Sequence, residues 1–573
     1  MARKPFESSI QDLVYNMDVG IGLRLIKLGL YLLFVLIVML LYTATQFRGL
    51  KQAEAMDYAQ LGRNLMQQKQ MITQCVRPLS MWYLIEKSRH HDSRINNHPD
   101  ILHPPLYPTL LAAGFKISRA PFVTEKPVSV FPAEQWVIIP LGHLCTLLTG
   151  LVLFLLGYRI FDQRVALLGV TIYFLSNSVW SASISGTGVS LTTLLSSLAF
   201  YTAWIAVENR RADKPTSAWA FPLTISLLCC ALAFLTRYGA AVIVPVIALF
   251  VGLQFRQHRW TIAMVFVLAF LVAVSPWLLR NKLISGGFMG LAPYAVFNSA
   301  ATPEDEVAER SLTPSWTVGQ TVSILQVRWL VNFAKFYSAD LRTVGEGLLV
   351  CFFLAAFLYR FIRTEVHVFR WCLVLGIFLL MNVAALFGEA TMKLMLIFWP
   401  LIILFGLAFF FVMLDRLQMR ARILNMGVTG LLVFLSTLPL IFALLPPRAG
   451  VPYPPYFPPF ITHVCKLLNP TELMCSDMPW ATAWYGNRNS LLLPENIDQF
   501  YTINDYNKRV SGIYFTTITR NKPYVRTLAT GTEKTWFPIL EGRIPGDFPL
   551  NEGFPLNNLD QLFLTDRQRW NEK

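Results

Sequence analysis

Residues 50–65, LKQAEAMDYAQLGRNL, and residues 98–108, HPDILHPPLYP, bracket the stretch that decides how the rest of the chain is read. The first piece follows directly on an apolar run and carries Glu54 and Asp57 three residues apart. On a helix that spacing places both carboxylates on one face, with Tyr58 and Leu61 beside them. The second piece, with Pro104, Pro105 and Pro108, reads as a return towards the next apolar run. Residues 50–108 are therefore a long polar loop with an acidic helix at its start.

The surrounding chain makes this a loop of a membrane protein. Of 573 residues, 54% are hydrophobic and only 14% charged. Apolar runs recur that are long enough to cross a hydrocarbon core of about 30 Å. Eleven are expected, over 28–45, 136–158, 165–182, 189–207, 220–235, 240–253, 261–279, 344–359, 371–387, 394–414 and 428–445. The run at 106–117 is too short to span and reads as interfacial. Lys plus Arg number 49 against 34 Asp plus Glu, a net charge of +15. Much of that excess falls in short loops, around Arg159 and Arg164, Arg210 and Arg211, Arg256 and Arg259, Arg360 and Arg363, and Arg416 and Arg420. This is the pattern of cytoplasmic loops, and it leaves no call for nucleic-acid binding. The N-terminus, with Arg3, Lys4, Arg24 and Lys27, then reads as cytoplasmic, ahead of an uncleaved signal anchor. The long loops at 50–108 and 280–342 and the C-terminus fall on the other side. A bacterial inner membrane with its active side towards the periplasm is the expectation, with an endoplasmic-reticulum membrane facing the lumen as the alternative.

The sequence thus divides into a transmembrane part, 1–445, a Pro-rich linker, 446–459, and a small extracytoplasmic α/β domain, 460–573. In the last, ELMCSD, SLLLP and GIYFTTI read as strands alternating with helices over PWATAWYG and IDQFYTINDYNKR, which predicts a parallel sheet. It carries no P-loop and no G-x-G-x-x-G, hence no nucleotide. Cys465 and Cys475, ten residues apart in this part, are expected to form a disulfide in an oxidising compartment.

The order of parts, a span, EAMDYA, PPLYP, further spans with PWLLRN at 276–281, and an outer C-terminal domain, resembles the GT-C superfamily of membrane glycosyltransferases that use polyprenyl-phosphate sugars. The resemblance is to the group of the protein O-mannosyltransferases and the lipid A aminoarabinose transferase, and it covers residues 1–445. In that group the first loop carries a catalytic acid four residues before an aromatic. Here Glu54 stands four before Tyr58, and Asp57 is the competing candidate because the usual Asp-Glu pair is Glu54-Ala55.

The resemblance implies an inverting displacement at the anomeric carbon. An acceptor hydroxyl attacks, and the polyprenyl phosphate leaves. A carboxylate must take the acceptor's proton and cations must hold the phosphate. Glu54, then Asp57, are the candidate bases. Arg280, Arg237, Lys393 and Arg77 are the candidate phosphate ligands, at ends of apolar runs or in the first loop. Tyr58, His103 and Tyr107 are expected to line the site. His90, His91 and His98 are weak candidates for a divalent metal, whose use varies within the superfamily and which is the one cofactor left open. The expected partners are a polyprenyl-phosphate sugar, a glycan, lipid or protein acceptor, and the bilayer. Two other readings remain beside the enzyme: a flippase for a lipid-linked sugar, which would need an inverted repeat and helices broken at the bilayer midplane, and a non-catalytic membrane assembly protein.

Overall fold

The computed structural model describes residues 21–570 except for 89–90, 123–128, 256–258, 298–307, 315–317, 336–346, 388–390, 419–421, 451–452, 454, 532, 555 and 557–559. Among these residues, eight helices are long and apolar enough to cross a membrane, beginning with α1 (Ile21–Gln46). A ninth crossing is made if the bent pair Gln163–Phe174 and Asn177–Ser183, at 59°, counts as one. The two remaining expected spans form apolar helices too short to count among the eight. Tyr238–Gln254 opens with a 3-10 turn, and Leu348–Leu358 ends in one. The chain is a multi-pass helical membrane protein.

The basic loops converge as the charge pattern requires. Arg159 pairs with Glu208 at 2.9 Å, Arg164 with Asp415 at 3.3 Å, and Arg211 with Glu365. Arg363 caps the Ile139–Ile160 helix by donating to the carbonyls of Arg159 and Ile160, and Arg370 donates to those of Ala356 and Tyr359.

The acidic helix is present as α2 (Ala53–Gln68), rich in good helix formers, with Glu54 in its first turn where the macrodipole favours a carboxylate. It stops at Lys69, whose backbone is left-handed (φ 56°) and whose N–H donates to the Leu65 carbonyl. Residues Ala55 to Asn64 are all buried, although Asp57, Gln60, Arg63 and Asn64 are polar. Each of these therefore needs a partner. Gln60 donates to Thr73 (2.8 Å), Asn64 to the Ile72 carbonyl (3.0 Å), and Arg63 to the carbonyls of Ala483 (2.7 Å) and Trp484 (2.9 Å). PPLYP leads into α3 (Leu106–Ser118), the short helix expected at the interface. It packs against α2 at Gly62, where a Cβ would lie 2.8 Å from that of Leu111.

The C-terminal part holds the expected strands and helices in the expected order. Strands β2 (Leu473–Ser476), β3 (Asn489–Leu492) and β4 (Val510–Phe515) are parallel. Two further strands, β5 (Glu552–Phe554) and β6 (Leu562–Thr565), extend the sheet antiparallel, so it is mixed rather than parallel throughout. The sheet order is β1-β3-β2-β4-β6-β5, and β1 is Cys75–Val76 from the first loop, paired to Ser490 and Leu491. The first loop is thus part of this sheet.

No disulfide joins Cys465 and Cys475; both are free and buried. Cys465 Sγ lies 3.8 Å from the sulfur of Met474. Cys475, the next residue on the strand, points to the opposite face and packs among Leu473, Leu491 and Ile513. The pairing fails by one residue of register. The tryptophans of PWATAWYG are packing residues: Trp484 lies among Phe115, Phe122 and Phe131, under the Arg63 guanidinium, and donates to Glu134 at 2.9 Å.

Candidate active site

A cavity of about 320 Å³ opens beside the first turns of α2. Glu54, Asp57, Tyr58, Arg77, His103 and Arg237 line its polar side; Met289, Val383, Phe387 and Leu394 contribute an apolar side. The polar side is assembled from four separate stretches of sequence, each delivered by a nearby element. Glu54 and Asp57 come from one face of α2. Arg77 follows β1 directly. His103 heads the Pro-Pro return, and Arg237 sits in extended backbone between two apolar helices.

The carboxylates are each held by a guanidinium. Arg237 donates one nitrogen to both oxygens of Glu54, at 2.5 and 2.6 Å. Arg77 donates to Oδ2 of Asp57 at 2.7 Å and, through Nε, to Glu309. The two carboxylates differ in access. Glu54's side chain is 27% exposed towards the cavity, whereas Asp57's is 1% exposed. Oδ1 of Asp57 is buried with no hydrogen-bond partner among the described residues, a costly arrangement unless something else supplies a donor.

His103 stands between two acids. Its Nδ1 is 3.1 Å from Asp100 and its Nε2 is 3.7 Å from Asp57, while its backbone N–H donates to Asp100 at 3.0 Å. Burial alone would depress the imidazole; the charge and hydrogen bond of Asp100, with the charge of Asp57, raise it above its usual value. Burial would raise Asp100 correspondingly, but His103 and the nearby Arg280 hold it below the ordinary carboxylate range.

The remaining sequence candidates lie elsewhere. Tyr107 is buried behind the lining, edge-on to Tyr58 at 5.4 Å and pressed against Gly188. Arg280 does not line the cavity. It donates to the backbone carbonyl of Asp100 (2.5 Å) and to Asn281, and stacks on Trp277. Lys393 donates to Gln52, the residue just before α2. Glu309, Asp100 and the apolar wall carry no local motif, and sequence reasoning missed their place here.

Among the described residues the histidines do not assemble a metal site. His98 is buried with Nε2 on Ser80 (2.7 Å) and Nδ1 on the Ser93 carbonyl (2.9 Å), and burial lowers it to about 4. His91 is exposed and contacts the Ile85 carbonyl; His90 lies outside the described residues. Among the described residues no three His, Cys, Asp or Glu side chains are grouped to hold a metal. Arg237 and Arg77 hold the carboxylates of Glu54 and Asp57 beside the cavity.

Comparison with known proteins bears on the fold and on one segment of the sequence. The family model described as dolichyl-phosphate-mannose-protein mannosyltransferase matches residues 103–279, from His103 to the end of PWLL. The crystal structure of ArnT from Cupriavidus metallidurans in the apo state is similar over 94% of this chain and 98% of that one, with TM-score 0.54 and 12% identity. The same protein bound to undecaprenyl phosphate gives 0.52 over the same shares, again at 12% identity. The Archaeoglobus fulgidus oligosaccharyltransferase, in complex with Zn and sulfate, gives 0.53 and 12% identity over 84% of this chain and 68% of that one. No curated protein matches in sequence. Fold and family segment together resemble one class, the membrane glycosyltransferases of the GT-C type, which use lipid-linked donors. Within that class the chain is similar to the dolichyl-phosphate-mannose-protein mannosyltransferases in its middle segment and to ArnT along nearly its whole length.

Proposed function

We propose that the protein transfers a sugar from a polyprenyl phosphate to an acceptor hydroxyl at this cavity, with inversion, and that Glu54 is the general base. The observation that carries the proposal is the Glu54–Arg237 pair on the wall of a cavity whose other wall is apolar. The apolar wall suits the first isoprene units of the donor. The phosphate competes with Glu54 for the Arg237 guanidinium, since both are anions of matching geometry. When the phosphate takes Arg237, Glu54 is left with free oxygens beside the anomeric carbon.

The acceptor oxygen then bonds to C1 while the bond from C1 to the phosphate oxygen breaks. The acceptor's proton passes to Glu54, and the electron pair of the broken bond stays on the phosphate, held by Arg237 and by Arg77. General-base assistance of this kind contributes about 10²–10⁴ in rate. The unpartnered oxygen of Asp57 accepts from a hydroxyl of the acceptor or the sugar, which orients it and satisfies the buried atom. Asp100 keeps His103 oriented on Asp57.

The distribution of cations supports an extracytoplasmic site. The loops carrying Arg159, Arg164, Arg211 and Arg363 gather at one face, and the positive-inside bias makes that face cytoplasmic. The N-terminus of α1 then lies inside, the C-terminal α/β domain outside, and a bacterial inner membrane facing the periplasm suits this arrangement. The acceptor is a glycan, lipid or protein hydroxyl. Donor turnover by purified protein, with Arg237→Met and Arg280→Met compared, tests this reading.

A further inference from the structure

The Arg77 guanidinium is fixed from outside as well as from α2. Its Nε donates to Glu309, which comes from a short 3-10 turn, Ala308–Arg310, in the second long loop. Glu309 and the Arg77 side chain are both buried. The next residue, Arg310, points the other way into the C-terminal domain. It donates to the Leu493 carbonyl (2.8 Å), the Pro494 carbonyl (3.2 Å) and Glu533, which also accepts from Lys522 at 2.8 Å. The backbone continues the attachment: Glu495 N–H donates to the Arg310 carbonyl (3.1 Å), and Leu312 N–H to Gln499 (2.9 Å). From its other side Arg77 is reached by the same domain, because Cys75–Val76 is a strand of its sheet and Ser490 N–H donates to the Gln74 carbonyl at 2.8 Å.

We propose that Glu309 and Arg310 form a strut by which the C-terminal domain positions Arg77 against Asp57, so that this domain is a structural part of the catalytic centre. The inference rests on the transferase reading above and adds two positioning residues to it. Its physical content is a balance of charge. Among the described residues Arg77 serves two carboxylates, Asp57 and Glu309. With Glu309 present, neither acid takes the whole guanidinium, and Asp57 keeps an oxygen for a substrate hydroxyl. Without it, Arg77 is drawn further onto Asp57. Buried partners of this kind are fixed only when every member is satisfied, and Glu533 supplies that on the far side of the strut.

The test uses the full-length protein in detergent or liposomes with a polyprenyl-phosphate sugar that the wild type turns over. Glu309→Gln removes the charge and keeps the shape. The expected result is a fall in kcat of about tenfold or more, with the donor KM within about threefold. The acid limb of the kcat profile should move by about half a pH unit or more to lower pH, because the site's carboxylates lose a neighbouring negative charge. Glu309→Asp should recover part of the rate, and Glu533→Gln, made only in the C-terminal domain, should lower kcat in the same sense. An unchanged kcat in Glu309→Gln overturns the strut, as does a fall with unmoved pH profile and lowered melting temperature, which is what loss of packing alone produces. A wild type that turns over no donor, while binding polyprenyl phosphate, refutes the transferase reading itself and the strut with it.

Discussion

Removing the guanidinium of Arg237 separates the two cations that the sequence ranked first for the donor phosphate. Arg237→Met keeps the side chain's length and apolar stem but deletes its donors. A charge-assisted hydrogen bond to phosphate contributes about 1.5–3 kcal/mol. At about 1.4 kcal/mol per factor of ten, the donor KM should rise about ten- to 150-fold. Folding should be affected far less. Glu54 is 27% exposed towards the cavity, so water replaces part of what it loses, and the stability cost should stay near about 1–2 kcal/mol. Arg280→Met is the control, because the Arg280 guanidinium is spent on the Asp100 carbonyl and the Trp277 ring. It should change the donor KM by less than about threefold, a difference of well under 1 kcal/mol. The assay is initial-rate transfer from a radiolabelled polyprenyl-phosphate sugar at varied donor concentration, with melting temperature recorded for each protein. An unchanged donor KM in Arg237→Met, with a raised one in Arg280→Met, would refute the assignment and move the phosphate to the far side of Asp100.

Three other outcomes follow from particular contacts. His98 is held neutral with its pKa lowered from 6.5 to about 4, so the unfolded chain takes up a proton first as pH falls. Stability should therefore decline between those two values by up to about 3 kcal/mol, and His98→Gln should flatten that part of a melting-temperature profile. Gly290 has φ +55° and a Cβ there would sit 1.9 Å from the Ile101 carbonyl oxygen. Gly290→Ala should thus push the Met289 segment off the Asp100–Leu102 backbone, lowering the melting temperature and raising the donor KM. Arg63→Met leaves the carbonyls of Ala483 and Trp484 without their donor. The cost should be about 2–4 kcal/mol, read as easier proteolysis between the C-terminal domain and α2.

What the sequence made legible was local. The acidic helix, the interfacial α3 and the β-α alternation from ELMCSD to GIYFTTI each have a period or a boundary residue that marks them, and each is found in place. The class of enzyme was legible for a different reason: the order of EAMDYA, PPLYP and PWLLRN along the chain resembles a family. What stayed hidden depends on pairings across hundreds of residues. Cys75–Val76 is too short to show a strand pattern, and its partner lies at Ser490. The Arg77–Glu309 bond joins two loops with no shared signal. Arg280 looked like the best cation because it follows an apolar run on the correct side; that its nitrogen would be spent on a backbone carbonyl is a matter of three-dimensional packing. The helix Val318–Lys335 went unread inside the second long loop, although its Trp329 and Asn332 fasten it to the Thr364–Phe387 helix. The cysteines mislead for a simple reason: spacing along a chain says nothing about which face of a strand each one takes.

The most direct test of the central claim is sugar transfer from a polyprenyl-phosphate donor by wild type, Glu54→Gln and Asp57→Asn, each shown to be folded and inserted. If Glu54 is the base, Glu54→Gln loses about 10²–10⁴ in kcat, while Asp57→Asn loses less and mainly raises the acceptor KM. Near wild-type turnover in Glu54→Gln, with turnover abolished in Asp57→Asn, would contradict the account and place the base one turn further along α2.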